Sequence, residues 1–142
     1  MKKQRIISLS AKLTDKANKF IIAKLKKNNL SDIAPSHGDI LAILFDGNAY
    51  EMGTIAKKIH RTNATVSVLI DKLVKNGYVS RYKSDDDARI IKVSLTQKGL
   101  LLKPVFESIS EELNSHIYKG LSESEAMLLE ILLEKAVISF NK

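Results

Sequence analysis

The chain has 142 residues, contains neither cysteine nor tryptophan, and is 44% hydrophobic. A domain of this length removes roughly 68–70% of its unfolded surface from water, so a core forms without disulfides. The lack of cysteine excludes thiolate metal sites and cysteine nucleophiles. No segment approaches 18 consecutive apolar residues, and the first residues lack the apolar run of a signal peptide, so we expect a cytoplasmic protein that is neither secreted nor inserted in a membrane.

The net charge of +7 is concentrated in two blocks. Residues 1–30 carry nine basic residues and one acidic residue, a net +8, and residues 61–92 carry a net +3. A localised basic excess favours a polyanionic partner, either nucleic acid or an acidic membrane surface. The alternative is a lysine-rich surface that only keeps the chain solvated.

The first half of the chain shows helical periodicity in four segments. Apolar residues recur at helical spacing over residues 6–27, with lysines between them, which predicts an amphipathic helix. A second helix is predicted to begin at Ser36, which has capping-box spacing to Asp39. A short helix, Thr54–Ile59, is followed by a helix that Thr62 or Asn63 caps. That helix extends to about residue 75, and its predicted buried face consists of Val66, Leu69, Ile70 and Leu73.

The hydrophobic period then changes from 3.6 to 2. Residues 78–83 and 90–95 alternate and are separated by a polar hexapeptide, which predicts a β-hairpin with a charged tip. Thr96 is predicted to cap a long helix over residues 99–119, which Pro104 should kink. Ser122 and Glu125 repeat the capping-box spacing before a last amphipathic helix that extends to Phe140.

This order of elements predicts a mainly α fold with a small β-hairpin wing, a winged helix-turn-helix. We expect a single domain over residues 1–142. Residues 35–99 would form the winged helix-turn-helix, and residues 1–34 and 100–142 would supply dimerisation helices. A terminal helix cannot bury an apolar stripe well by itself, so a homodimer is expected.

The predicted recognition helix and the hairpin carry the candidate DNA contacts. Thr65 and Ser67 could donate to phosphates or base edges, and the methyl groups of Val68 could meet a thymine methyl. Arg89 at the hairpin tip could enter a minor groove, and Asp87 could fix its direction. The full set of predicted DNA-binding residues is Arg61, Asn63, Thr65, Ser67, Val68, Lys72, Arg81, Lys83, Asp87 and Arg89.

The residues from Ile55 to Gly99 resemble the multiple-antibiotic-resistance regulator (MarR) family of bacterial transcription factors. The matching pieces are T-V-S-x-L-I-D-K-L from Thr65, N-G-Y-V-S-R, the D-x-R of Asp87 and Arg89, and the L-T-x-x-G that ends at Gly99. Val68 stands where many members carry arginine, so we expect an apolar groove contact there and a base preference that differs from theirs.

The resemblance implies a homodimer that binds palindromic double-stranded operator DNA and represses transcription directly. It also implies release by a small aromatic or anionic effector. In this family pattern Arg89 enters the minor groove, Asp87 orients it, and Thr65 and Ser67 contact the operator. The peroxide-sensing members use a cysteine, which this chain lacks.

Other classes of protein have less support in the sequence. We expect no enzyme and no cofactor, because the chain has no P-loop, G-x-G-x-x-G or G-x-S-x-G motif. The histidines lack metal-ligand spacing, so no metal is expected, although His37 and His116 could converge with Glu107, Glu111 and Glu112. A DNA-packaging protein and a winged-helix protein-interaction module remain the alternatives to a regulator.

Overall fold

The computed structural model describes residues 5–141 and confirms the predicted class, a mainly helical fold with a small antiparallel sheet. Lys2 and Lys3 of the basic block, and Lys142, lie outside the described residues. In chain order the elements are α1 (Ile6–Lys27), α2 (Pro35–Leu44), β1 (Tyr50–Glu51), α3 (Met52–Lys58), α4 (Asn63–Lys75), β2 (Val79–Lys83), β3 (Ile91–Leu95), α5 (Gln97–Leu100), α6 (Lys103–Tyr118) and α7 (Glu123–Ile138), followed by a 3-10 turn, Ser139–Asn141.

The chain divides into two compact units, the first ending at Ile109 and the second beginning at Ser110. The single domain therefore remains a prediction. Within residues 5–141, no helix combines the length and apolar character that a membrane span needs.

The first unit holds the hydrophobic core. Ile40 and Leu44 of α2, Ile55 of α3 and Ile70 of α4 are fully buried in it. Val93 of β3 is also fully buried, so the core joins the helices to the sheet. Because α2, α3 and α4 share one core, α4 is held by packing along one face and leaves its other face to solvent.

The sheet has three antiparallel strands in the order β1-β3-β2. The predicted hairpin is confirmed as β2 and β3, with Arg81 opposite Val93 in the register. The third strand, β1, was not predicted, because two residues are too few to show an alternating pattern. It pairs Tyr50 with Val93 on the other side of β3.

The predicted boundaries of α4 are confirmed. The Thr65 backbone N–H donates to Thr62 Oγ1 over 3.2 Å, so Thr62 is the N-cap. Val66, Ile70 and Leu73 are buried as predicted, and Leu69 is half-buried against the core. Gly77 follows the helix with φ +82°, a left-handed conformation that glycine adopts without a steric penalty.

The predicted starts of two helices were wrong. The N-cap of α2 is Ala34 rather than Ser36, and Pro35 fills the first helical position. The Ala34 N–H donates to His37 Nδ1 over 3.0 Å, so a histidine takes the part expected of Asp39. Likewise α3 begins at Met52, two residues before the predicted Thr54.

The predicted long helix with a kink at Pro104 was also wrong. Thr96 does cap a helix, since its Oγ1 accepts the Gly99 N–H over 3.1 Å. That helix, α5, ends at Leu100, and α6 begins at Lys103. Pro104 therefore lies in the first turn of a new helix, where its missing N–H would have no intrahelical acceptor.

The second unit contains the later part of α6 and all of α7. The predicted capping box is confirmed: Glu125 N–H donates to Ser122 Oγ over 3.1 Å, and Ser122 N–H donates to Glu125 Oε1 over 2.8 Å. Within the described part of a single chain, α7 buries none of its residues, and Met127 and Leu132 are more than half exposed.

Candidate nucleic-acid interface

The predicted helix-turn-helix consists of α3, a short turn and α4. The turn is compact because the Arg61 N–H donates to the carbonyl of Ala56 over 3.0 Å. His60 adopts φ +54°, a left-handed conformation that histidine tolerates better than β-branched residues do. The chain then enters α4 at Asn63, with the exposed side chain of Arg61 beside the start of the helix.

The exposed face of α4 carries most of the candidate contacts that the sequence predicted on this helix. Thr65, Val68 and Lys72 are exposed, and Ser67 is half-buried. The Val68 side chain is 69% exposed, which leaves it free to meet an apolar group on a partner. The sequence interpretation missed Lys75, which is also exposed and lies two turns after Val68, at helical spacing.

The capping contacts leave the Thr65 hydroxyl ready to donate. Thr62 Oγ1 accepts the Thr65 backbone N–H and donates its own proton to Thr65 Oγ1 over 3.1 Å. Thr65 Oγ1 therefore acts as an acceptor within the protein. Its own proton is directed away from Thr62, so it can serve a phosphate or base acceptor.

Hydrogen bonds hold the backbone of the hairpin tip in a defined turn. The Ser84 N–H donates to the carbonyl of Ile90 over 2.9 Å, and the Ile90 N–H donates to the carbonyl of Asp87 over 3.0 Å. Asp87 Oδ1 also accepts the Arg89 backbone N–H over 3.0 Å. These bonds fix Asp87 at the turn, so its carboxylate has a defined position.

The Asp87 carboxylate in turn holds the Arg89 side chain. Arg89 Nε donates to Oδ1 and Nη2 donates to Oδ2, each over 3.1 Å. These bonds lower the pKa of the Asp87 carboxyl, so it stays ionised as the partner of Arg89. The Arg89 side chain is 90% exposed. A bidentate pair thus fixes the direction of a guanidinium that otherwise stands in solvent.

Two open depressions place the helix-turn-helix and the wing tip on one side of the first unit. A depression of about 310 Å³ is lined by both Asn63 of α4 and Arg89 of the wing tip. A second, of about 580 Å³, shares Asn63 and is also lined by Lys57, His60 and Arg61. Lys57 and His60 were missed by the sequence interpretation, although Lys57 stands four residues before Arg61.

The two remaining wing candidates, Arg81 and Lys83, differ in their surroundings. Arg81 Nη1 donates to the carboxylate of Asp71 on α4. Lys83 ends β2 and is exposed. The sequence interpretation missed Asp71, because the two partners are ten residues apart and on different elements.

His37 is buried at the start of α2. Its pKa is lowered first by burial and then by the positive charge of Lys72, while Asp32 acts in the opposite direction. A neutral ring agrees with the acceptor role of Nδ1 toward Ala34. Within residues 5–141, no three His, Cys, Asp or Glu side chains are grouped to hold a metal ion.

The comparisons with known proteins find a matching family model and similar helix-turn-helix transcriptional regulators. The MarR family model matches residues 33–91. The transcriptional regulator SarZ of Staphylococcus haemolyticus is 30% identical over 59 residues, which is 42% of this chain and 40% of that protein. The first three curated relatives are matched over 37% to 64% of their own length.

Two solved structures share nearly the whole fold. The S. aureus MepR–DNA complex superposes with a TM-score of 0.84 and 28% identity, covering 96% of this chain and 99% of that chain. A variant of E. coli MarR with operator DNA gives a TM-score of 0.78 at 22% identity, covering 91% of each chain. The helix-turn-helix and the D-x-R pair thus lie within the residues that the MarR family model matches, and the fold is similar to that of MepR.

Proposed function

We propose that this protein is a sequence-specific, double-stranded-DNA-binding transcriptional regulator. One observation carries the proposal: Asn63 at the start of α4 and the Asp87-supported Arg89 line the same open depression. A helix seated in a major groove through Thr65, Ser67 and Val68 would then bring Arg89 to the adjacent minor groove. The similar fold of MepR, which was solved in complex with DNA, supports DNA binding by this chain.

The proposal includes a homodimer on a palindromic operator. Exposed apolar side chains on α1 and α7 support it, because each helix carries residues that a lone chain leaves in water. Ile7 of α1 is 81% exposed and Phe140 just after α7 is 89% exposed. Apolar surface of this kind favours association with a second copy.

The mode of regulation follows the family resemblance. A dimer that covers an operator blocks transcription by occupying the site, so we take repression as the mode. Release by a small aromatic or anionic effector is the corresponding control step. The place of action is the bacterial cytoplasm, since a regulator must share a compartment with its DNA.

Selection of bound duplexes from a random DNA pool tests this function. We expect an enriched palindrome whose half-sites are about 10 bp apart, center to center, with recognition helices about 34–36 Å apart. A pool that stays random although the protein binds DNA would instead identify a packaging protein. No retention of any duplex at low salt would favor a protein-interaction module.

A further inference from the structure

We infer that Arg81 is a positioning residue for DNA binding: its guanidinium neutralises the Asp71 carboxylate on the exposed side of α4 and makes no phosphate contact of its own. The inference rests on the proposed function, because it concerns how the α4 surface meets a duplex. It assigns Arg81 a role different from that of the neighbouring basic residues.

Asp71 places a negative charge on the surface that would face DNA. It is the one acidic residue in the α4 sequence, and it lies one helical turn after Val68. Its side chain is 55% exposed. An unpaired carboxylate at this position would repel the phosphates that the rest of the helix attracts.

Arg81 is placed to cancel that charge. It is the third residue of β2, and pairing with Val93 across the ladder fixes its backbone. Its Nη1 donates to Asp71 Oδ1, and its side chain is 35% exposed, against 90% for Arg89. The guanidinium is thus directed toward the helix, whereas that of Arg89 stands in solvent.

The pair also joins the recognition helix to the wing. Asp71 belongs to α4 and Arg81 to β2, so the contact sets the position of one DNA-binding element against the other. Exposed ion pairs contribute little to folding stability. The effect of the pair between Asp71 and Arg81 should therefore appear in DNA affinity rather than in the unfolding temperature.

Lys83 supplies a matched control on the same strand. It lies two residues after Arg81, on the same face of β2, and it carries the same charge. It is exposed, as expected for a direct phosphate contact. Comparing the two residues separates loss of a positive charge from loss of the partner of Asp71.

The experiment is a double-variant cycle read by fluorescence anisotropy on the duplex selected from the random pool. Arg81→Ala and Lys83→Ala are each measured with Asp71 present and in an Asp71→Asn background. We expect Arg81→Ala to weaken binding about 10-fold when Asp71 is present and less than about 2-fold in the Asn background. Lys83→Ala should weaken DNA binding by the same factor in both backgrounds.

The salt dependence gives a second readout. The slope of log affinity against log salt should be the same for wild type and the Arg81→Ala/Asp71→Asn double variant. If the magnitude of the slope is lower by about 1 in the double variant than in wild type, a phosphate contact has been lost and the inference is overturned. Equal losses from Arg81→Ala in both backgrounds also overturn it.

Thermal unfolding of each variant accompanies the titrations. If Arg81→Ala lowers the unfolding temperature, Arg81→Gln, which keeps an amide donor without the charge, is measured in its place with the same expectations. A wild-type chain that binds no duplex overturns the proposed function and this inference together. Wild-type binding with no rescue by Asp71→Asn overturns the inference alone.

Discussion

Asp87 and Arg89 form a bidentate pair at the tip of the wing, with both carboxylate oxygens accepting from the guanidinium at 3.1 Å. The same carboxylate accepts the Arg89 backbone N–H over 3.0 Å. An exposed arginine usually loses rotamer freedom on binding. Here part of that ordering is present before any DNA is bound, so Arg89 would enter the proposed complex with its side chain already oriented.

Replacing Arg89 tests its contact with DNA. We expect Arg89→Ala to weaken operator binding by about 1–3 kcal/mol, the usual effect of removing one arginine contact. Because the side chain is 90% exposed, the unfolding temperature should stay the same. A gel-shift titration measures the affinity, and an unchanged dissociation constant would contradict the role.

Replacing Asp87 tests the orienting pair separately. Asp87→Asn keeps one acceptor oxygen and removes the charge, so we expect weaker operator binding than wild type although the protein gains positive charge. Asp85→Asn is the matched control, since Asp85 is an exposed carboxylate at the same tip. Simple electrostatics predicts that both variants bind more tightly. If Asp87→Asn did so, Asp87 would not orient Arg89.

The hydroxyl groups of α4 should control which sequence is bound. Thr65→Ala and Ser67→Ala are expected to reduce the ratio of specific to random-duplex affinity more than Lys83→Ala does, because base contacts specify and phosphate contacts only position. Competition titrations with both duplexes measure that ratio. Equal proportional losses for all three variants would argue that α4 does not read base edges.

Gly99 is required by the close approach of two chain segments. A Cβ added there would lie 2.1 Å from the Tyr78 carbonyl oxygen and 2.9 Å from Leu95 Cδ2. We expect Gly99→Ala to lower the free energy of unfolding by about 3 kcal/mol, at the upper end of overpacking effects. Gly120→Ala is the control, since its Cβ meets nothing within 4 Å, and it should change stability by less than about 0.5 kcal/mol.

Urea unfolding of both glycine variants measures these changes. A Gly99→Ala protein as stable as Gly120→Ala would mean that the start of the wing and the α5 turn are not in contact.

The buried His37 predicts a loss of stability in acid. Its pKa is lowered in the folded state, chiefly by burial, with Lys72 adding to the effect and Asp32 opposing it. The unfolded chain therefore takes up a proton first. The stabilisation by neutral His37 is complete above the unfolded pKa of about 6.5 and is lost as pH falls through the lower folded pKa.

His37→Asn separates this effect from other acid transitions. The Asn side-chain oxygen can replace Nδ1 as the acceptor for the Ala34 N–H, but it does not titrate. We expect the wild type to lose more stability than His37→Asn between pH 7 and pH 5 in urea unfolding. Parallel curves for the two proteins would show that His37 does not set the pH dependence.

The fold could be predicted wherever the sequence pattern was long or a cap was explicit. The wing strands showed their alternation, and Thr62 and Ser122 had capping side chains. The two-residue β1 has too little sequence to show a period. The start of α2 depends on a backbone donor meeting His37, which residue preferences at capping positions do not describe.

The sequence predicted individual residues of the candidate site more readily than the contacts between them. Asp87 and Arg89 are two residues apart, so their contact could be foreseen from spacing. Arg81 and Asp71 meet only because β2 packs beside α4, which is a tertiary fact. Lys57 joins the site in the same way, because α3 packs against α4 and residues near their junction line one depression.

A footprint on the selected duplex tests most directly whether α4 and the wing tip hold one duplex together. Methylation protection reports the major groove at guanines and the minor groove at adenines. We expect wild type to protect two major-groove half-sites, each flanked by minor-groove protection, and Arg89→Ala to lose only the minor-groove protection. An Arg89→Ala footprint identical to that of wild type, or minor-groove protection absent from both, would contradict this arrangement.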